Sequence, residues 1–159
     1  MYYVGQVVAK DFNKSFENTK KAVAFDNDNI VAIENLAYDY KEGAGTEKNY
    51  KEAEKYYLKA IKQDSTTAGK NYVKIAQLHI EGGYGLAKDE TQFVKYCELA
   101  ENSGSTEATE ILSYYFNQKG IALYQSKNFS SARQYFRLAV SKGSVKAQEN
   151  LRTMNENGK

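Results

Sequence analysis

The stretch Ala53-Glu54-Lys55-Tyr56-Tyr57-Leu58-Lys59-Ala60 sets the architecture, because versions of it recur along the chain. Alanine closes a similar stretch at Ala22, Ala60, Ala100 and Ala139, at spacings of 38, 40 and 39 residues. Three residues before each alanine stand Thr19, Tyr57, Cys97 and Phe136. Four before stand Asn18, Tyr56, Tyr96 and Tyr135, and seven before stand Ser15, Ala53, Phe93 and Ala132. Offsets of three, four and seven trace one face of an α-helix. The last three copies agree best, and the first is degenerate. A second helix precedes two of them: Leu36-Ala37-Tyr38-Asp39-Tyr40-Lys41-Glu42-Gly43 matches Ile75-Ala76-Gln77-Leu78-His79-Ile80-Glu81-Gly82. Glycine ends both, in Gly43-Ala44-Gly45 and Gly82-Gly83-Tyr84-Gly85, where it can take a left-handed backbone without steric cost. Asn49 and Asp89 stand where they can cap the next helix. The unit is helix, glycine-rich loop, helix and short turn, with turns at Asp26-Asn27-Asp28-Asn29 and Ser103-Gly104-Ser105.

Composition agrees with one compact helical domain. The chain has 159 residues, the size of a single domain, with 42% hydrophobic and 26% charged residues, a globular balance. Proline is absent, which removes polyproline linkers. A formal charge of +2 gives no electrostatic footprint for nucleic acid or an anionic membrane. No stretch approaches the roughly 20 apolar residues of a membrane span. The N-terminal Met1-Tyr2-Tyr3-Val4-Gly5-Gln6-Val7-Val8 lacks the basic start and apolar core of a signal peptide. From this chain alone the expected compartment is the cytoplasm, or the periplasm if a signal peptide was removed.

These residues resemble a known family. Leu36-Ala37-x-x-Tyr40-x-x-Gly43-x-Gly45 with Ala53-x-x-Tyr56-Tyr57-x-x-Ala60 is similar to the Sel-one-like repeat. Lys119-Gly120-x-x-Leu123 with Asn128-Phe129-x-x-Ala132-x-x-Tyr135-Phe136-x-x-Ala139 is more similar to its relative, the tetratricopeptide repeat. Asp11-Phe12-x-x-Ser15 through Ala22 resembles the second helix of a tetratricopeptide unit. The fold expected is an all-α, right-handed solenoid of stacked helical pairs, with about eight or nine helices. One domain is expected over 1–159: a partial repeat at 1–27, repeats at 28–65, 66–104 and 105–143, and a capping helix and tail at 144–159. In that last helix Val145, Leu151 and Met154 are expected to form one apolar stripe. Phe93 and Cys97 replace the usual alanine and aromatic, which leaves room for different packing in the second full repeat. In the third, Ser105 to Ser126 can form one long helix, or Leu112-Ser113-x-x-Phe116 can carry the signature instead; both registers stay open.

Catalytic and metal chemistry finds little to work with. His79 is the only histidine and takes the slot of Tyr40, so a packing residue with one satisfied nitrogen is expected. Cys97 lies on a packing face, where reactive thiols are not found. From Asp26, a calcium loop would need glycine at Val31 and an acid at Ala37. The glycine loops lack a Gly-Lys-Ser/Thr ending and follow no strand. No catalytic residue, metal site or cofactor is expected.

The resemblance implies protein–protein contacts. A non-catalytic scaffold binding a protein or peptide on its concave surface is therefore expected, as an inhibitor or regulator of that partner in a narrower version. The alternatives are an assembly segment of a larger envelope or secretion complex, and a hydrolase, which one cysteine and one histidine disfavour. In tetratricopeptide units the first helix of each pair lines the concave face. Glu34, Tyr38 and Lys41 share one helix face by their spacing. Val73, Gln77 and Ile80 are their counterparts, and Tyr114, Asn117 and Ile121 continue the row. The expected partner-binding residues are Glu34, Tyr38, Lys41, Gln77, Tyr114 and Asn117, with Tyr38 foremost because Tyr40 holds the packing slot.

Overall fold

The structure is a computed structural model that describes residues 11–158. The reading of Met1 to Val8, and the first ten residues of the partial repeat, lie outside the described residues. The described residues form eight α-helices, in order: α1 Phe12–Phe25, α2 Ile30–Glu42, α3 Tyr50–Gln63, α4 Ala68–Glu81, α5 Glu90–Asn102, α6 Thr106–Gln125, α7 Phe129–Ser141 and α8 Val145–Glu156. Among the described residues there is no strand, only an isolated bridge between Gly83 and Leu86 in the α4–α5 loop. The helices form an all-α solenoid in which each packs chiefly against its neighbours in sequence. The pairs α2–α3, α4–α5 and α6–α7 make the most extensive contacts.

Side-chain caps set the helix starts. Asn29, Asn49, Asp89, Ser105, Asn128 and Ser144 each accept a hydrogen bond from a backbone N–H in the first turn that has no helical partner. α4 has no such cap and is fed instead by a 3₁₀ turn, Ser65–Thr67. Gly43 ends α2 in the left-handed conformation. A Cβ on Gly45, at φ +77°, would lie 2.0 Å from the Phe12 carbonyl oxygen, so this loop can cross α1 only with glycine there.

The alanine rows are the close contacts between helices. Ala53, Ala60, Ala100, Ala132 and Ala139 are fully buried. Tyrosine and phenylalanine rings meet both between pairs, Phe16 on Tyr40 and Phe93 on Tyr115, and within them, Tyr40 on Tyr56 and Phe116 on Tyr135, with centroids 4.9–6.1 Å apart. Phe93 and Cys97 are buried as Ala53 and Tyr57 are, so the second full repeat keeps the slots of the first. In α1 the buried residues are Phe16 and Val23, while Ser15 and Asn18 are exposed. The degenerate copy is thus rotated by one position.

The third pair reconciles its two registers. α6 runs for 20 residues, and Leu112, Phe116 and Gly120 are all buried on it. In the first two pairs the carbonyls of Tyr40 and His79 accept from the N–H of Asn49 and Asp89, closing long glycine loops. In the third, the Leu123 carbonyl accepts from Asn128. Leu123 lies two helical turns beyond Phe116, so the extended helix replaces the loop. In α8, Ala147 and Met154 are buried, but Val145 is 68% exposed and Leu151 half-buried. The expected single stripe therefore divides over two faces, because Val145 lies about 200° around the helix from the buried Ala147.

Candidate interaction face

The first helices of the three full pairs, α2, α4 and α6, present equivalent positions. Leu36, Ile75 and Leu112 are buried, and two residues after them stand Tyr38, Gln77 and Tyr114. Tyr38 is 54% and Tyr114 69% exposed, while Gln77 is half-buried. A buried leucine and a tyrosine two places on point roughly 200° apart around a helix of 3.6 residues per turn. The packing of Leu36 and Leu112 therefore turns both tyrosines outward.

The six expected residues do not form one site. Gln77 and Tyr114 come together in an open groove of about 520 Å³ between α4 and α6, whose lining also includes Ile80, Phe93, Ile111 and Tyr115. Glu107, Glu110 and Gln118 border it from exposed positions on α6. Tyr38 lines a different hollow of about 360 Å³, against Phe12, Ser15, Glu42 and the Gly43–Gly45 loop. Glu34 ties α2 to α4, accepting from Lys70 Nζ at 2.9 Å and from Asn71 Nδ2 at 2.8 Å. Burial pushes its carboxyl up, but those two hydrogen bonds and the Lys70 and Lys74 charges outweigh it and hold the group below its usual range. Lys41 pairs with Glu42 at 3.2 Å. Lys74 lies over the Tyr57 ring at 5.2 Å, and burial lowers its pKa.

Two expectations about the face need correction. Asn117 is not a surface residue: it is 4% exposed and its Oδ1 accepts from Asn150 Nδ2 at 3.1 Å. The last helix, α8, lies over that part of α6 and takes the amide into a tie between helices. Val73 is buried against Ala100 and Ala108, because α6 follows α4 closely at that level. Ile80 keeps a groove position, and Ile121 lines a separate cavity of about 380 Å³ with Tyr124, Phe136 and Met154. Ile111, Glu110 and Glu107 fall outside the row expected from the sequence. They stand three, four and seven residues before Tyr114, so the helical signal was present one turn nearer the N-terminus.

Polar chemistry elsewhere is committed to packing. His79 Nε2 lies 3.0 Å from Glu54 Oε1, which also accepts from the Tyr96 hydroxyl at 3.1 Å, and the His79 and Tyr96 rings stack at 5.3 Å. His79 Nδ1 is buried with no hydrogen-bond partner among the described residues. Burial, with Glu54 beside it, pushes the Tyr96 phenol up to about 12. Burial pushes the Cys97 thiol up to about 12 as well, which keeps it protonated at neutral pH. Among the described residues, no group of three or more His, Cys, Asp and Glu is arranged to hold a metal ion. Nor is any of their helices long and apolar enough to cross a membrane.

Comparison with known proteins agrees with this architecture. The crystal structure of a Sel1 repeat protein from Oxalobacter formigenes superposes with a TM-score of 0.57 at 23% identity, covering 97% of this chain and 59% of that one. The chain thus spans less than two thirds of that protein's length. A second solved structure, c5321, described as a protective antigen present in uropathogenic Escherichia coli strains displaying an SLR fold, is 18% identical with a TM-score of 0.33. The match covers 96% of this chain and 38% of that one, and the two are structurally distant. No curated protein matches the chain. The Sel1 repeat family model matches residues 1–24, 30–65 and 106–144, more than half of the sequence, and the chain belongs to the Sel1 repeat family, whose members commonly serve as protein-interaction scaffolds.

Proposed function

We propose that this protein is a non-catalytic scaffold that binds a protein or peptide on the face formed by α2, α4 and α6. The observation that carries this reading is the α4–α6 groove, where an exposed Tyr114 stands beside Ile80, Ile111 and Phe93. Several other tyrosines lay their rings on neighbours, as Tyr56 does on Tyr40 and Tyr115 on Phe93. Tyr114 leaves its ring in water, at a hydration cost that a partner's apolar side chain removes. Aromatic residues over an apolar floor with a polar border match the anatomy of protein interfaces. Tyr38 adds a second exposed aromatic at the equivalent repeat position.

The test is purification of partners from native lysate with the unaltered chain, followed by calorimetry of the identified partner against Tyr38→Ala, Lys41→Ala and Tyr114→Ala. A loss of about 1–2 kcal/mol on at least one tyrosine is expected, with an unchanged circular dichroism melt. Unaltered affinity in all three variants would move the site off this face.

A further inference from the structure

The α4–α6 groove has a chemical bias of its own, and that bias bears on function only if the scaffold reading holds. We infer that this groove accepts a partner segment that presents one large apolar side chain with lysine or arginine within a helical turn of it. The floor is apolar: Ile80, Phe93 and Ile111, with the Tyr114 and Tyr115 rings as one wall. A volume of about 520 Å³ accommodates side chains of leucine or phenylalanine size, and its open form suits a chain lying across it.

The border is acidic and uncompensated. Three other carboxylates in contact with neighbouring helices have lysine partners: Glu34 has Lys70, Glu90 has Lys119 and Glu101 has Lys142. Glu107 and Glu110 are exposed and make no ion pair or hydrogen bond through their side chains among the described residues. Glu107 lies in the first turn of α6, where a negative charge complements the helix dipole, so it has a structural duty. Glu110 has none. It occupies the repeat position of Glu34, two residues before the buried leucine. The counterpart of Lys70 in α8 is Lys146, and it forms no ion pair with Glu110. Two unpaired carboxylates beside an apolar slot select for cations on the incoming chain and against anions, through both steering and like-charge repulsion.

A random dodecapeptide library displayed on phage, selected against the intact protein, tests this. The selected peptides, labelled for fluorescence anisotropy, are then measured against the folded variants Tyr114→Ala, Glu110→Lys, Tyr38→Ala, Lys41→Ala and Leu138→Ala. The result expected is enrichment of an apolar residue with lysine or arginine within four positions. Tyr114→Ala and Glu110→Lys each weaken binding about tenfold, whereas Leu138→Ala, at an exposed α7 position outside the groove, leaves it unchanged. Replacing the peptide's cation by glutamate restores binding to Glu110→Lys and abolishes binding to the unaltered protein. Peptides that are acidic, or that are insensitive to Glu110→Lys but lost on Tyr38→Ala or Lys41→Ala, would overturn the groove's cation preference and leave the scaffold reading standing. Selection that enriches no peptide over an unrelated protein would overturn both.

Discussion

Gly120 shows how one residue sets a contact between helices. It lies inside α6, where glycine costs about 1 kcal/mol relative to alanine. The space of its missing side chain is filled by the Phe136 ring, whose carbons would stand 2.6 Å from an added Cβ. Phe136 is itself buried in α7, so the ring can give way only by leaving its packed position toward the cavity it shares with Ile121, Tyr124 and Met154. Gly120→Ala is therefore expected to lower stability by about 1–3 kcal/mol despite its better helix propensity, read as a lower urea midpoint. An unchanged or raised midpoint would mean that the ring can move. Small residues at such points were legible in the sequence because they recur at fixed spacing. The role of Asn117 was not legible, because spacing misleads there. It stands five residues after Leu112, as Lys41 stands five after Leu36, yet the approach of α8 buries Asn117 while Lys41 stays half-buried. Spacing within a helix cannot carry that information.

Among the elements, α6 is the most instructive. Its sequence contains both a Sel-one-like signature at Leu112 and Phe116 and a tetratricopeptide-like one at Gly120 and Leu123. The two are a whole number of turns apart, so one continuous helix satisfies both, and the loop-closing carbonyl shifts from the Tyr40 and His79 position to Leu123. Periodicity located the helices; choosing between a loop and two further turns required the packing of Gly120 on Phe136. Ala100 tests the stacking between pairs, since it is fully buried beside Val73 and Ala108. Ala100→Leu should overpack this junction and cost about 1–3 kcal/mol, read by chemical denaturation. The α2–α4 tie through Glu34 is pH-dependent. Its folded pKa lies below the ordinary glutamate value of 4.5, so the bonded carboxylate stabilises the fold fully above that value. The contribution is lost as pH falls from there through the lower, folded pKa. Glu34→Gln should therefore be less stable than the unaltered chain at pH 7, and the difference should shrink as pH falls below about 4.5. A difference that stayed constant between about pH 7 and about pH 3 would show that the ion pair contributes nothing.

For the whole molecule, a stack of helical pairs gives a stiff frame and an extended face rather than an enclosed cleft. Function then depends on which surface positions of the repeat are left without a packing partner. The exposed Tyr114 and the carboxylates of Glu107 and Glu110 meet this description, and Glu34 and Asn117 do not, because neighbouring helices engage them. The central claim for this chain is that a partner engages the groove between α4 and α6. Site-directed photo-cross-linking reads that engagement without an intermediate step: a photoreactive benzophenone amino acid is placed at Tyr114 and, separately, at exposed Leu138 on α7, outside the groove. The identified partner is then cross-linked to each variant at matched concentration. The expected result is an adduct from position 114 that disappears when Glu110→Lys is added, and none above background from position 138. Equal adducts from both positions, or an adduct from 138 alone, would contradict engagement of the groove.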